Sequence, residues 1–143
     1  MGSIAIQMPG RLEPLCCIVT PVGMLGYGFD EAEVHQGLQH GQKLGVPTAL
    51  ILDSGSTDSG PNKLALGEMS VPRENYKRDL EKLVRILRTF RVPLIIGSAG
   101  GDGSDAHVRE FTKIITEILE LPENEYGLRS IFRAKPLSWL TLA

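Results

Sequence analysis

Three short apolar runs in this chain each pass straight into glycine and small polar residues, and that order constrains the fold more than any other feature. Cys16-Cys17-Ile18-Val19-Thr20 leads into Pro21-Val22-Gly23-Met24-Leu25-Gly26-Tyr27-Gly28. Ala49-Leu50-Ile51-Leu52 leads into Asp53-Ser54-Gly55-Ser56-Thr57-Asp58-Ser59-Gly60-Pro61. Leu94-Ile95-Ile96 leads into Gly97-Ser98-Ala99-Gly100-Gly101-Asp102-Gly103-Ser104-Asp105. Each loop points toward a segment with helical spacing of apolar residues. Strands that are apolar throughout and alternate with helices predict a parallel sheet covered on both faces. In such sheets ligands bind outside the carboxyl ends of the strands, so these loops mark the place for a site.

The helices are legible from their caps and stripes. Asp30 and Glu33 form a capping-box pattern ahead of Val34, Leu38 and Leu44, with Gly45 as the stop. Gly37 and Gly41 share one face of that helix and permit close packing on the sheet. Pro72 opens a second helix to about Phe90, with Tyr76, Leu80, Leu83, Val84 and Leu87 in register. Ser104 or Asp105 caps a third, whose face is Val108, Phe111, Ile114, Ile115, Ile118 and Leu119. Gly45-Val46-Pro47 and Arg91-Val92-Pro93 both enter a strand after a helix, two turns of one βα plan. The expected fold is α/β, a three-layer sandwich with a small, mainly parallel, Rossmann-like sheet, or the front part of a larger α/β domain. Residues 1–14 read as a flexible lead-in, 15–121 as the α/β domain and 122–143 as an irregular apolar tail. Three parallel strands leave edges, which the tail, a second copy or a partner chain would cover.

With 143 residues the chain is long enough for one domain with a real core. A formal charge of −2 gives no bulk attraction to nucleic acid or to an anionic membrane. No apolar run approaches the length of a membrane span, and the first residues lack the pattern of a secretory signal. The expected location is cytoplasmic. Cys16 and Cys17 are the only cysteines. Neighbours in a strand point to opposite faces, so they read as two small apolar residues and not as a disulfide or metal pair.

The second loop is the densest cluster of polar groups. A carboxylate at a strand end followed by hydroxyls and glycine suits an anion held by backbone N–H groups, through Ser54, Gly55, Ser56 and Thr57. Asp53 and Asp58 can instead ligate a hard cation such as magnesium. Asp, Ser and Gly are also ordinary turn residues. The stretch is similar to the first phosphate loop of the actin and heat-shock ATPase superfamily, although Gly60-Pro61-Asn62 breaks the strand that should follow. In the third loop Ser98, Gly100, Gly101 and Asp102 lie before a helix start, where donors and the positive helix end favour an anion. It is neither a Walker loop nor the dinucleotide fingerprint. Gly26 and Gly28 are the first loop's contribution. His107, in the first turn of the third helix, is the best-placed general acid or base, with Asp53 as its companion. His35, His40 and Lys63 read as surface residues.

Beyond these residues, Pro21 to Gly28, Asp53 to Pro61, Ile95 to Gly101 and the stretch Arg73-Glu74-Asn75-Tyr76-Lys77-Arg78-Asp79 resemble the amino-terminal portion of acyclic terpene utilisation (AtuA-like) proteins. The resemblance covers about residues 16–119. It implies secondary metabolism, the catabolism of isoprenoid-like branched acids as carboxylates or acyl thioesters. Such proteins are longer, and the sequence after Leu121 does not resemble their continuation. The expectation is therefore a cytosolic enzyme, or the remnant of one, that binds a small organic anion. A nucleotide- or phosphate-binding regulatory module and a non-catalytic assembly subunit are the alternatives. No cofactor is named by the sequence.

Overall fold

The computed structural model describes residues 13–56 and 59–120. The element order is β1 (Cys17–Val19), α1 (Glu31–Leu44), β2 (Thr48–Asp53), α2 (Gly60–Leu66), α3 (Arg73–Phe90), β3 (Leu94–Gly97) and α4 (Asp105–Leu119). The fold is α/β: three parallel strands in the order β1-β2-β3, with helices between and after them. Ile18 pairs with Ala49, and Ile51 with Ile95. Residues expected to form the lead-in up to position 12, and the tail from 121 to 143, lie outside the described residues, as do Thr57 and Asp58.

Local signals set the helix limits. Asp30 Oδ1 accepts from Ala32 N–H at 2.7 Å, and Gly45 closes α1 in the left-handed region at φ 67°. A cap of this kind stabilises a helix by about 1 kcal/mol. Ser104 caps α4, its hydroxyl accepting from His107 N–H at 3.4 Å. The small residues of α1 let it lie directly on the sheet: a Cβ on Gly41 would come within 3.0 Å of Cys17 Cβ and overlap Thr48. The long second loop is not all loop. Gly60 to Leu66 form α2, with Pro61 in its first turn, where a missing N–H does no harm.

Leu50 and Leu52 of β2 are buried under Val34 and Leu38 of α1, the α3 stripe from Tyr76 to Phe90, and Phe111, Ile114, Ile115 and Ile118 of α4. Across α3 and α4, Arg73 donates to Glu110 at 2.7 Å and to Glu117 at 2.5 Å. The guanidinium bonds hold both carboxyls below the usual carboxylate range.

A right-handed crossover is the rule for parallel strands, and a strand order that never reverses puts successive crossovers on the same face. Here α1, α3 and α4 pack side by side on the face carrying Leu50 and Leu52. The second covering layer expected from the apolar strands is not supplied by described residues. Ile18 and Ile95, on the opposite face, are 59% and 52% exposed. Among the described residues no helix is long and apolar enough to cross a membrane.

Candidate functional site

All three loops lie at the carboxyl end of the sheet, and backbone bonds knit them together. Leu25 N–H donates to Asp53 O at 2.9 Å, joining the first loop to the second. Ser54 N–H donates to Gly97 O at 3.1 Å, and Ser54 Oγ lies 2.6 Å from Ser98 O, joining the second to the third. A ligand crevice in an open sheet forms where strand order reverses and neighbouring loops part to opposite faces. The described strands have no reversal, so their loops close on one another instead of opening.

The amides expected to cradle an anion are largely committed inside the protein. Gly26 and Gly28 N–H both donate to Asp79 Oδ2, at 2.9 and 2.8 Å. Asp79, fully buried on α3, receives a third bond from Arg78 Nε at 3.0 Å. Asp53, exposed at the end of β2, turns Oδ1 back to accept from Ser54 N–H at 2.7 Å and Gly55 N–H at 3.0 Å. It therefore caps its own turn. Ser54 and Gly55 are buried in the seam: a Cβ on Gly55 would stand 2.6 Å from Gly101 O and 2.7 Å from Ser98 Cβ. Gly101 N–H donates to Ser98 O at 2.7 Å, and Gly100 O accepts from Ser70 N–H at 2.8 Å. Of the named loop residues, Ser98 is exposed and Ser56 half-buried, while Gly26, Gly100 and Gly101 are buried.

The chemistry concentrates behind the third loop. Asp102 Oδ1 sits 2.7 Å from His107 Nδ1 and accepts Ser104 N–H at 2.8 Å. The two side chains are only 1% and 8% exposed. Burial alone would raise the Asp102 pKa, but the bonds from Ser104 and His107 together outweigh it and hold the carboxyl below its ordinary value. An ionised Asp102 accepts, so Nδ1 is the donor of this pair and Nε2 is the ring nitrogen that Asp102 leaves unengaged. Asp102 Oδ2 and Ser70 Oγ are buried without a hydrogen-bond partner among the described residues. Such atoms are costly, and in native folds they call for a reason. Tyr76, its ring 4.8 Å from that of Phe111, has its hydroxyl pKa raised by burial.

His107 and Asp102 are thus brought together, whereas Asp53 accepts amides of its own turn in a capping role. Asp58 and Thr57 lie outside the described residues. No cluster of three or more His, Cys, Asp or Glu side chains forms a metal site among the described residues. Lys63 pairs with Glu68 at 3.4 Å, and His35 packs edge-on against Phe90 at 5.1 Å. Sequence reasoning missed Asp79, Ser70 and Tyr76 as polar members of this end of the molecule. For Asp79 a signal existed: it falls in the apolar stripe of α3, between Tyr76 and Leu83, where a solvated carboxylate has no place. The chain matches no protein-family model, no curated protein and no solved structure.

Proposed function

We propose that the protein binds a small organic anion, a branched carboxylate or acyl thioester, beside the third loop, and that His107 exchanges a proton with it. The observation that carries this reading is the buried Asp102–His107 pair at the start of α4. A carboxylate on Nδ1 orients an imidazole and fixes its tautomer, which a general base requires and an ordinary surface histidine lacks. The resemblance of the loops to acyclic terpene utilisation proteins favours an isoprenoid-like acid as the ligand. A phosphate cradle is less well supported, because the glycine amides it needs donate internally.

Calorimetric titration of the whole chain with branched carboxylates, their coenzyme A thioesters and magnesium nucleotides tests the proposal. Binding of an acid or thioester should raise the unfolding free energy by about 2.7 kcal/mol at 100 times the dissociation constant. The His107→Gln variant should bind the ligand without the proton uptake or release seen with the native chain. Response to nucleotides alone, or identical proton linkage in the variant, overturns the reading.

A further inference from the structure

Two orphaned polar atoms lie behind the third loop. Asp102 Oδ2 and Ser70 Oγ are buried and meet no hydrogen-bond partner among the described residues. The loop itself brings their residues close. Ser70 N–H donates to Gly100 O at 2.8 Å. A Cβ on Gly101, the residue before Asp102, would overlap the Ser70 hydroxyl. The fully buried Tyr76 is the third polar group of this enclosure, its hydroxyl donating to Ser54 O over a long 3.5 Å. Its pKa is raised first by burial; the Ser70 hydroxyl lowers it and the Asp102 charge raises it, so the phenol feels both. Yet Ser70 Oγ and Asp102 Oδ2 bond neither to each other nor to Tyr76. Polar groups that fall just short of direct contact are commonly bridged by water, and an internal water makes about three hydrogen bonds.

We propose that one ordered water is a fixed part of this site, seated between Asp102 Oδ2, Ser70 Oγ and Tyr76 Oη, and that Ser70 and Tyr76 are positioning residues of the Asp102–His107 pair. Donors and acceptors balance. Asp102 Oδ2 can only accept, so the water donates one proton to it, and the Ser70 hydroxyl donates to the water oxygen. The second water proton goes to Tyr76 Oη, whose own proton is given to Ser54 O. Asp102 is then held at both oxygens, Oδ1 by the Ser104 amide and the His107 ring, Oδ2 by the water. The terminal torsion of an aspartate is soft. A carboxylate anchored at both ends keeps one direction toward the imidazole, which one anchored at a single oxygen does not. The one carboxylate here already serves two donors, which suits a neutral guest better than an ion.

Oxygen-17 magnetic relaxation dispersion of the whole chain, without added ligand, counts the waters held inside it. Ser70→Val and Ser70→Thr add the same bulk and differ in the hydroxyl. Ser70→Val should lose one long-lived water relative to the native chain, and Ser70→Thr should keep it. The His107 Nδ1 proton, followed by nitrogen-15 NMR, should exchange with solvent several-fold faster in Ser70→Val than in Ser70→Thr. Should the added methyl unfold both, Ser70→Ala and Tyr76→Phe take their place: each removes one partner and should shorten the residence of the water several-fold. Equal water counts and residence in all folded variants overturn the proposal, as does Nδ1 exchange that follows the methyl and not the hydroxyl. A melting temperature higher in sodium or potassium chloride than in choline chloride of equal ionic strength also overturns it, and points to a cation in the same place. None of these measurements uses an organic anion, so they stand or fall apart from the ligand reading.

Discussion

Asp53 and Asp102 stand in successive turns of the same βα plan, yet their surroundings give them opposite work. Asp53 ends its strand in solvent and accepts two amides of its own turn. Asp102 lies five residues beyond the end of β3, is almost fully enclosed, and divides Oδ1 between the Ser104 amide and the His107 ring. A carboxylate at a strand end is therefore not a catalytic signal by itself. What matters is whether the chain continues far enough to fold back over it. The second loop turns away into α2, while the third winds through Ser98 and Gly100 in left-handed conformations and returns over its own aspartate.

Removing Asp102 should produce the largest effect. Asp102→Ala strips a buried imidazole and a backbone amide of their acceptor, and should cost about 3 kcal/mol by urea denaturation. The lowered pKa also fixes the sign of a pH effect. A carboxyl depressed in the folded state contributes stability above its unfolded pKa, and that contribution is lost as the pH falls through the folded value. Native stability should fall through that acid window, and the variant should lose this part of the slope. A flat native profile would erase the distinction between the two aspartates.

Gly55→Ala tests the seam between the two loops. The added methyl meets Gly101 O and Ser98 Cβ inside contact distance, so the loops must part, at about 2 kcal/mol. An unchanged melting curve would mean that they move independently. The smallest effect belongs to Asp53→Asn. The amide oxygen can still accept the two N–H groups, so stability should shift by less than about 0.5 kcal/mol. A much larger loss would show that the charge of Asp53, and not its geometry, holds the turn.

Much of the fold was legible because periodicity and caps are local. The stripe from Tyr76 to Phe90, the Gly45 stop and the Ser104 start all lie where the sequence puts them. The convergence of the loops followed from the repeated strand–loop–helix order. What could not be read was non-local. Ile18 and Ile95 look like core residues, because an apolar strand does not announce how many of its faces are covered. Ser54 reads as a ligand-facing hydroxyl until its neighbour Gly97 is known. Gly60-Pro61 reads as a break, although proline also begins helices. The pairing of Asp102 with His107 needed the loop's path, which glycine spacing leaves open.

Strand order has a consequence for how the molecule forms. Each strand pairs with its immediate successor in the chain, β1 with β2 and β2 with β3. Among the described strands, every pairing closes over one helix-bearing connection. Sequence separation between partners is what slows the folding of sheets. A sheet laid down in chain order can grow one strand at a time from its amino-terminal side, as synthesis delivers it. The same neighbour-to-neighbour order that closes the loops on one another thus spares the sheet any pairing longer than one crossover, within a parallel topology whose partners, such as Leu50 and Leu94, are still distant in sequence.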